Sequence, residues 1–191
     1  MANENEKIIT HISNFRPVKR IDDVINISYN IQKEMLAKLM MVGEGPEKEK
    51  AEQLCEALGI AEKVIFFGKS HEIDKILCFS DMFILPSEHE SFGLVALEAQ
   101  ACGTPVVATA VGGLRTAVAD GISGVLVDGH DPRAWSSVLA RLLQEPQRRV
   151  LLSMGAIEHA SHFGWDATAR GTLDIYDQVI TDAARVNKSI G

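Results

Sequence analysis

The sequence predicts an α/β fold of the Rossmann-like type, in which a doubly wound parallel sheet carries helices on both faces. Six short apolar runs alternate with longer amphipathic stretches between residues 8 and 180. Runs that are apolar throughout are typical of strands buried on both faces, as parallel strands are. Their regular alternation with helical stretches indicates βαβ units, and therefore a parallel sheet.

The elements are placed by their periodicity and by the glycines and prolines that end them. The predicted strands are residues 8–13, 38–42, 64–67, 82–85, 105–108 and 124–127. The predicted helices are residues 24–36, 46–58, 72–78, 94–101, a short stretch after residue 113, 134–143, 147–159 and 165–180. We therefore expect a single domain over residues 1–191, with a core at 1–164 and a C-terminal helix at 165–182. Ligands of such sheets bind beyond the carboxyl ends of the strands, so the loops there are the candidate site.

The composition excludes several classes of protein. A chain of 191 residues with 46% hydrophobic residues is long enough for one sizeable core. Its net charge of −7 argues against a nucleic-acid-binding protein. A run of ~18 apolar residues is absent and the first residues lack a signal-peptide core, so neither a membrane span nor export is expected. The three cysteines form no Cys-x-x-Cys pair, which indicates reduced thiols in a cytoplasmic protein.

The composition also changes near the middle of the chain. Residues 1–95 contain nine Lys and two Arg, whereas residues 96–191 contain one Lys and seven Arg. The alternation of strands and helices nevertheless continues through this point without a linker. This favours a single domain assembled from two related parents over a two-domain chain. Compositional drift within one natural gene is the alternative.

Two acids eight residues apart, Glu90 and Glu98, are the strongest signal for chemistry. They flank a predicted helix start at Phe92, Gly93 and Leu94, beyond a predicted strand. The free N–H groups and positive dipole of a helix start attract an anion, and a carboxylate accepts hydrogen bonds from a vicinal diol. A phosphate-bearing sugar ligand is the favoured interpretation, and two solvated acids are the alternative.

This pattern resembles the signature of the retaining GT-B glycosyltransferases. The likeness includes Glu90-x-Phe-Gly-x₄-Glu98, the run that follows it to Ala108, and the glycines at 112 and 113. It extends over residues 8–180 and implies the C-terminal, donor-binding half of a GT-B fold. By the same resemblance, Glu90 contacts the transferred sugar and Glu98 the ribose, while the backbone at Phe92, Gly93 and Leu94 meets sugar or phosphate oxygens.

A basic segment after the first predicted strand is the second motif. Cations at Arg16 and Lys19 would neutralise a diphosphate leaving group, although a solvated basic turn would look the same. The family places an Arg and a Lys five residues apart. Here Asn14 stands where the Arg is expected, so Lys19 matches the pattern and Arg16 departs from it by two positions.

The remaining candidates depend more heavily on the resemblance. It places Gly43 and Gly45 along the donor cleft, Gly68 and Lys69 beside the base, and the glycines at 112 and 113 further from the donor. For His11, a cleft position and a packed one are both open, and His89 is either a ligand contact or solvated. No metal-ligand spacing occurs, so we expect no bound metal and no cofactor, only a UDP-sugar donor.

The two parts of the chain resemble different branches of the family. Residues 8 to about 95 resemble the bacillithiol-pathway N-acetylglucosaminyl-malate synthases. Residues from about 92 onward resemble the mycothiol-pathway enzymes that glycosylate inositol phosphate. Both branches use UDP-N-acetylglucosamine, which the resemblance therefore implies as donor. It also implies a junction between the two parents near residues 90–98.

The function expected from the sequence is donor binding without transfer. The acceptor site of GT-B enzymes belongs to an N-terminal domain, which is the expected partner. The helix at 165–182 resembles the segment that crosses to that domain, so Trp165, Leu173 and Tyr176 would be exposed or used for self-association; folding back onto the core is the alternative. A stand-alone folding module and a flavodoxin-like or response-regulator-like domain are the rival functions. The first predicted strand ends at His11-Ile-Ser13, without the acidic cluster that a response regulator needs.

Overall fold

The computed structural model describes residues 6–189, and side chains up to residue 183. The expectation that the first residues lack a signal-peptide core concerns residues outside this range. The chain divides into one unit that ends at Ala160 and a second that begins at Ser161. The first unit contains the sheet, and the second contains the last helix.

The sheet has six strands, and every neighbouring pair is parallel. The strands are β1 (Lys7–Ile12), β2 (Ala37–Val42), β3 (Val64–Gly68), β4 (Met82–Leu85), β5 (Val106–Thr109) and β6 (Gly124–Val127). Their spatial order is β3-β2-β1-β4-β5-β6. The chain therefore winds outward from β1 in one direction, returns at β4, and winds outward in the other. This confirms the Rossmann-like α/β fold and places the topological switch point between β1 and β4.

Eight α-helices are described, and they follow the predicted order. They are α1 (Ile21–Gln32), α2 (Lys48–Ala57), α3 (Ile73–Cys78), α4 (Leu94–Ala101), α5 (Leu114–Ala117), α6 (Pro132–Gln144), α7 (Pro146–Ser161) and α8 (Trp165–Ser189). Helix α1 begins three residues earlier than predicted because Arg20, with φ 55°, turns the chain into it. Helix α8 runs beyond the predicted end at residue 180.

Two hydrophobic clusters fill the two faces of the sheet. The larger one includes Ile25 of α1, Leu39 of β2 and Trp135 of α6. The smaller one includes Phe83 of β4 and Leu114 of α5. Helix α1 packs directly against α6, so residues from both compositional parts of the chain share one core. The Trp135 indole is fully buried, and its Nε1–H donates to the Gly129 carbonyl at 3.0 Å.

The second unit carries a row of exposed apolar side chains on α8. Trp165 is 89% exposed, and Leu173, Tyr176 and Val179 are each about 60% exposed. Exposure or self-association was expected for Trp165, Leu173 and Tyr176, and Val179 adds to the same exposed set. None of the helices in residues 6–189 combines the length and the apolar content that a bilayer crossing requires.

Candidate functional site

A cleft of about 400 Å³ opens at the switch point, beyond the carboxyl ends of β1 and β4. Its lining includes five predicted site residues: Lys19, Glu90, Phe92, Gly93 and Leu94. A larger groove of about 610 Å³ lies along the start of α7, but none of the predicted site residues lines it. The switch-point cleft is therefore the candidate site.

An ion pair between Lys19 and Glu90 lies in this cleft. The Lys19 Nζ donates to Glu90 Oε2 at 2.5 Å, and both side chains are more than four-fifths buried. The two residues are 71 positions apart in the chain and come from the loops after β1 and β4. The pair gives the cleft one cation and one carboxylate, which suit a phosphate and a sugar hydroxyl respectively.

A buried hydrogen-bond relay holds the loop that carries Lys19. His11 Nδ1 lies 3.0 Å from the Ile84 carbonyl, and His11 Nε2 lies 2.8 Å from Ser13 Oγ. Because a carbonyl only accepts, Nδ1 carries the proton, and Nε2 accepts from the Ser13 hydroxyl. Ser13 Oγ in turn accepts from the Phe15 N–H at 3.2 Å. Full burial, with a smaller effect of the Lys19 charge, lowers the pKa of His11 to about 4, so the ring is neutral at pH 7.

Gly43 and Gly45 make room for this loop. A side-chain Cβ at Gly43 would lie 1.9 Å from the Ser13 carbonyl oxygen, and one at Gly45 would lie 1.9 Å from the Asn14 carbonyl oxygen. Both distances are impossible contacts, and Gly43 has φ 123° in addition. These glycines therefore position the loop before Lys19. Of the two alternatives for His11, the structure shows the packed one.

The loop that carries Glu90 rests on the glycines at 112 and 113. A Cβ at Gly112 would lie 2.2 Å from the Glu90 carbonyl oxygen, and one at Gly113 would lie 2.2 Å from that of Ser91. The Gly113 N–H also donates to the Glu90 carbonyl at 3.0 Å. This contact between the two glycines and the acid loop was not predicted from the sequence. The sequence feature that could have revealed this contact is the Gly-Gly pair itself, since only glycine permits so close an approach of two backbones.

Helix α4 begins at the floor of the cleft. Its preceding residue, Gly93, is buried with φ 90° and adds no side chain to cap the helix. The first N–H groups of a helix lack intrahelical acceptors, so this end attracts an anion. Phe92 and Leu94 are 38% and 66% exposed, on either side of Gly93. A Cβ at Gly93 would meet Leu114 Cδ2 at 2.6 Å.

Gly68 and Lys69 lie next to Glu44 at the ends of β2 and β3. The Gly43 N–H donates to the Gly68 carbonyl at 2.8 Å, and Lys69 Nζ lies 3.8 Å from Glu44 Oε2. These loops are next to the switch-point cleft along the sheet edge, because β2 pairs directly with β1, whose end lines the cleft. The two groups of predicted residues therefore lie in sequence along one edge.

Six of the predicted residues lie outside the cleft lining: Glu98 and Arg16, and the four already described, Gly43, Gly45, Gly68 and Lys69. Among the residues that the structure describes, that lining includes neither Glu98 nor Arg16, and both are exposed. Glu98 lies on α4, one turn after its start, and Arg16 directly precedes the short 3₁₀ turn Pro17–Lys19. His89 is also exposed. Within residues 6–189, no three His, Cys, Asp or Glu side chains are grouped to hold a metal ion.

An open parallel sheet whose switch point presents a cation, a carboxylate and a helix start defines a nucleotide-binding α/β domain. The family described as "Glycosyl transferases group 1" matches residues 1–159. The chain therefore belongs to this family, as a C-terminal domain of the GT-B type.

Curated relatives and solved structures agree with this assignment. The D-inositol 3-phosphate glycosyltransferase of Salinispora tropica is 52% identical over 132 residues, which is 68% of this chain and 27% of that protein. The sucrose-phosphate synthase of Thermosynechococcus elongatus is 30% identical with a TM-score of 0.80, over 94% of this chain and 46% of that one. Anabaena Alr3699/HepE in complex with UDP and glucose, at 24% identity and TM-score 0.82, covers 91% of this chain and 49% of its own, and shares the fold. The chain thus spans well under half of the curated relative.

Proposed function

We propose that this chain binds a UDP-sugar, UDP-N-acetylglucosamine in particular, as the donor-binding half of a retaining glycosyltransferase. The observation that carries the proposal is the Lys19–Glu90 pair beside the start of α4, in a cleft at the switch point. A nucleotide-sugar needs a cation and a helix start for its phosphates and an acid for its sugar. The similar Anabaena structure is a complex with UDP, which supports uridine as the base.

The roles follow the order of the residues along the sheet edge. Lys19, with Arg16 nearby, neutralises the diphosphate, and the backbone at Phe92, Gly93 and Leu94 adds hydrogen-bond donors to it. Glu90 accepts hydrogen bonds from the transferred sugar, and Glu98 accepts them from the ribose diol. The base lies toward Gly68 and Lys69, with Gly43 and Gly45 between it and the diphosphate. Retention on the donor's front face requires no nucleophilic side chain from this domain.

Transfer itself requires a second domain. The curated Salinispora relative is almost four times as long as the part that this chain matches, since the chain covers 27% of it. We propose that the remainder supplies the acceptor side, so that these 191 residues bind the donor without turning it over. Donor affinity should be weak, near millimolar, because only one wall of the closed cleft is present.

Calorimetric titration with four nucleotides tests the proposal. UDP and UDP-N-acetylglucosamine should bind with measurable heat, and GDP and ADP should bind more weakly under the same salt conditions. Equal affinity for UDP, GDP and ADP would contradict a uridine site. Lys50→Gln is the matched control, because it removes a cation from an exposed position on α2 and should bind the four nucleotides as the wild type does.

A folding module without catalytic function is the second candidate. The change from Lys-rich to Arg-rich composition near residue 95 favours it, because it indicates two parents joined near residues 90–98. Cooperative unfolding together with an absence of heat for every nucleotide would support this candidate over donor binding.

A further inference from the structure

Two of the three cysteines lie side by side at the ends of neighbouring helices. Cys78 is the last residue of α3, and Cys102 follows the last residue of α4. The Cys102 Sγ–H donates to the Asp74 carbonyl of α3 at 3.6 Å, and Asp74 lies one helical turn before Cys78, so the Cys102 thiol lies against the end of α3 that carries Cys78. Cys78 is exposed and Cys102 is half-buried.

The backbone around these thiols is fixed by a separate contact. The Thr104 hydroxyl, two residues after Cys102, donates to the carbonyl of Leu77, the residue before Cys78, at 2.6 Å. Thr104 and Leu77 are both buried, and α3 packs directly against α4. The ends of α3 and α4 are therefore held next to each other by a buried contact that does not involve the thiols.

We propose that Cys78 and Cys102 form a reversible disulfide that fastens the end of α3 to the end of α4. The inference is independent of the donor-binding role, since neither thiol belongs to the cleft. It assigns to the chain a site of oxidative modification whose co-reactant is a low-molecular-weight disulfide. The bond would close a loop of about 25 residues that includes β4 and the whole of α4.

The exchange proceeds in two balanced steps. The exposed Cys78 loses its proton, and its thiolate attacks the small disulfide, which forms a mixed disulfide and releases one small thiolate. The Cys102 thiolate then attacks Cys78 Sγ, forms the internal disulfide and releases the second small thiolate. One small disulfide is reduced to two thiols, and the two cysteine thiols are oxidised.

The second step should be the slow one at neutral pH. Burial, with a smaller effect of the neighbouring Cys78 side chain, raises the pKa of Cys102 to about 11, so little of this thiol is thiolate at pH 7. The mixed disulfide at Cys78 should therefore accumulate at first and close faster as the pH rises. Reduction by dithiothreitol should reverse the whole sequence.

Intact-mass analysis after incubation with oxidised glutathione tests the proposal. The wild-type chain should lose two free thiols, those of Cys78 and Cys102, and end without bound glutathione. The variant C102S should stop at a glutathione adduct on Cys78, and C78S should form no internal disulfide. The matched control is C55S, because Cys55 is fully buried in α2, and it should behave as wild type.

Several outcomes of this experiment would contradict the disulfide. A stable glutathione adduct on Cys78 in the wild-type chain, an internal bond that includes Cys55, or three thiols that stay reduced would each overturn the proposal. The melting temperature of the oxidised chain should rise by roughly 5–10 °C, and C78S and C102S should show no such rise. A closed disulfide that lowers the melting temperature would show that the helix ends are not placed for it.

Discussion

At the scale of single residues, the two acids of the cleft pattern should respond differently to UDP. Glu90 already pairs with Lys19, whereas Glu98 is exposed and available to a ribose. Glu98→Gln should weaken UDP binding by roughly 1.5–3 kcal/mol, about 10- to 150-fold, through loss of a charge-assisted hydrogen bond. Glu90→Gln should leave UDP binding unchanged or tighter, because it releases Lys19 for the diphosphate. Calorimetry with UDP on both variants compares them, and a larger loss for Glu90→Gln would reject these roles.

His11 should make stability depend on pH. Burial lowers its pKa to about 4, from 6.5 in the unfolded chain. Between these values the unfolded chain binds a proton that the folded chain does not, so stability falls as the pH drops from 6.5 toward 4. The loss attributable to His11 should reach about 3 kcal/mol at the low end of this range.

Urea unfolding at several pH values measures this effect. His11→Gln should flatten the dependence between pH 6.5 and 4, while His89→Gln, which changes an exposed ring, should keep it. A His11→Gln variant with the same pH dependence as wild type would show that the buried ring is not its source.

At the scale of elements, the exposed face of α8 can be followed through its tryptophan. The chain has two, and Trp135 is fully buried while Trp165 is 89% exposed. Acrylamide should therefore quench the emission of Trp135→Phe strongly and that of Trp165→Phe weakly. We propose that α8 also mediates self-association, since contiguous apolar side chains rarely remain uncovered.

Sedimentation at increasing concentration distinguishes a monomer with an exposed α8 from a chain that self-associates through α8. Self-association should protect Trp165 from quenching as the sedimentation coefficient rises, and Trp165→Ser with Tyr176→Ser should abolish the rise in the sedimentation coefficient. A chain that stays monomeric at every concentration while Trp165 remains protected would contradict the exposed face.

The elements themselves were largely predictable from the sequence. The apolar runs at 82–85 and 124–127 match β4 and β6 to the residue, because buried parallel strands leave an unbroken apolar signal. The start of α1 was placed too late because Ile21 begins a helix after a left-handed Arg20, a conformation with no clear signature at a non-glycine residue. The extension of α8 past residue 180 was missed because polar residues continue its last turns.

At the scale of the whole molecule, the long-range contacts of the site were beyond reach of the sequence. Lys19 and Glu90 were each predicted, but their pairing depends on β1 and β4 being neighbours in the sheet. The relay from His11 through Ser13 likewise requires Ile84 of β4. Residues far apart in a chain meet only through the topology, so a sequence pattern names the members of a site without naming their contacts.

The central claim is that the Lys19 cleft receives the diphosphate of a uridine nucleotide. The most direct measurement compares the affinities of UDP and uridine for the wild type, Lys19→Gln and Lys50→Gln, a variant that removes an equal charge from exposed α2. Lys19→Gln should lower UDP affinity about tenfold or more and leave uridine affinity unchanged, while Lys50→Gln alters neither. UDP affinity that is unchanged in Lys19→Gln, or that falls equally for UDP and uridine, would contradict the account.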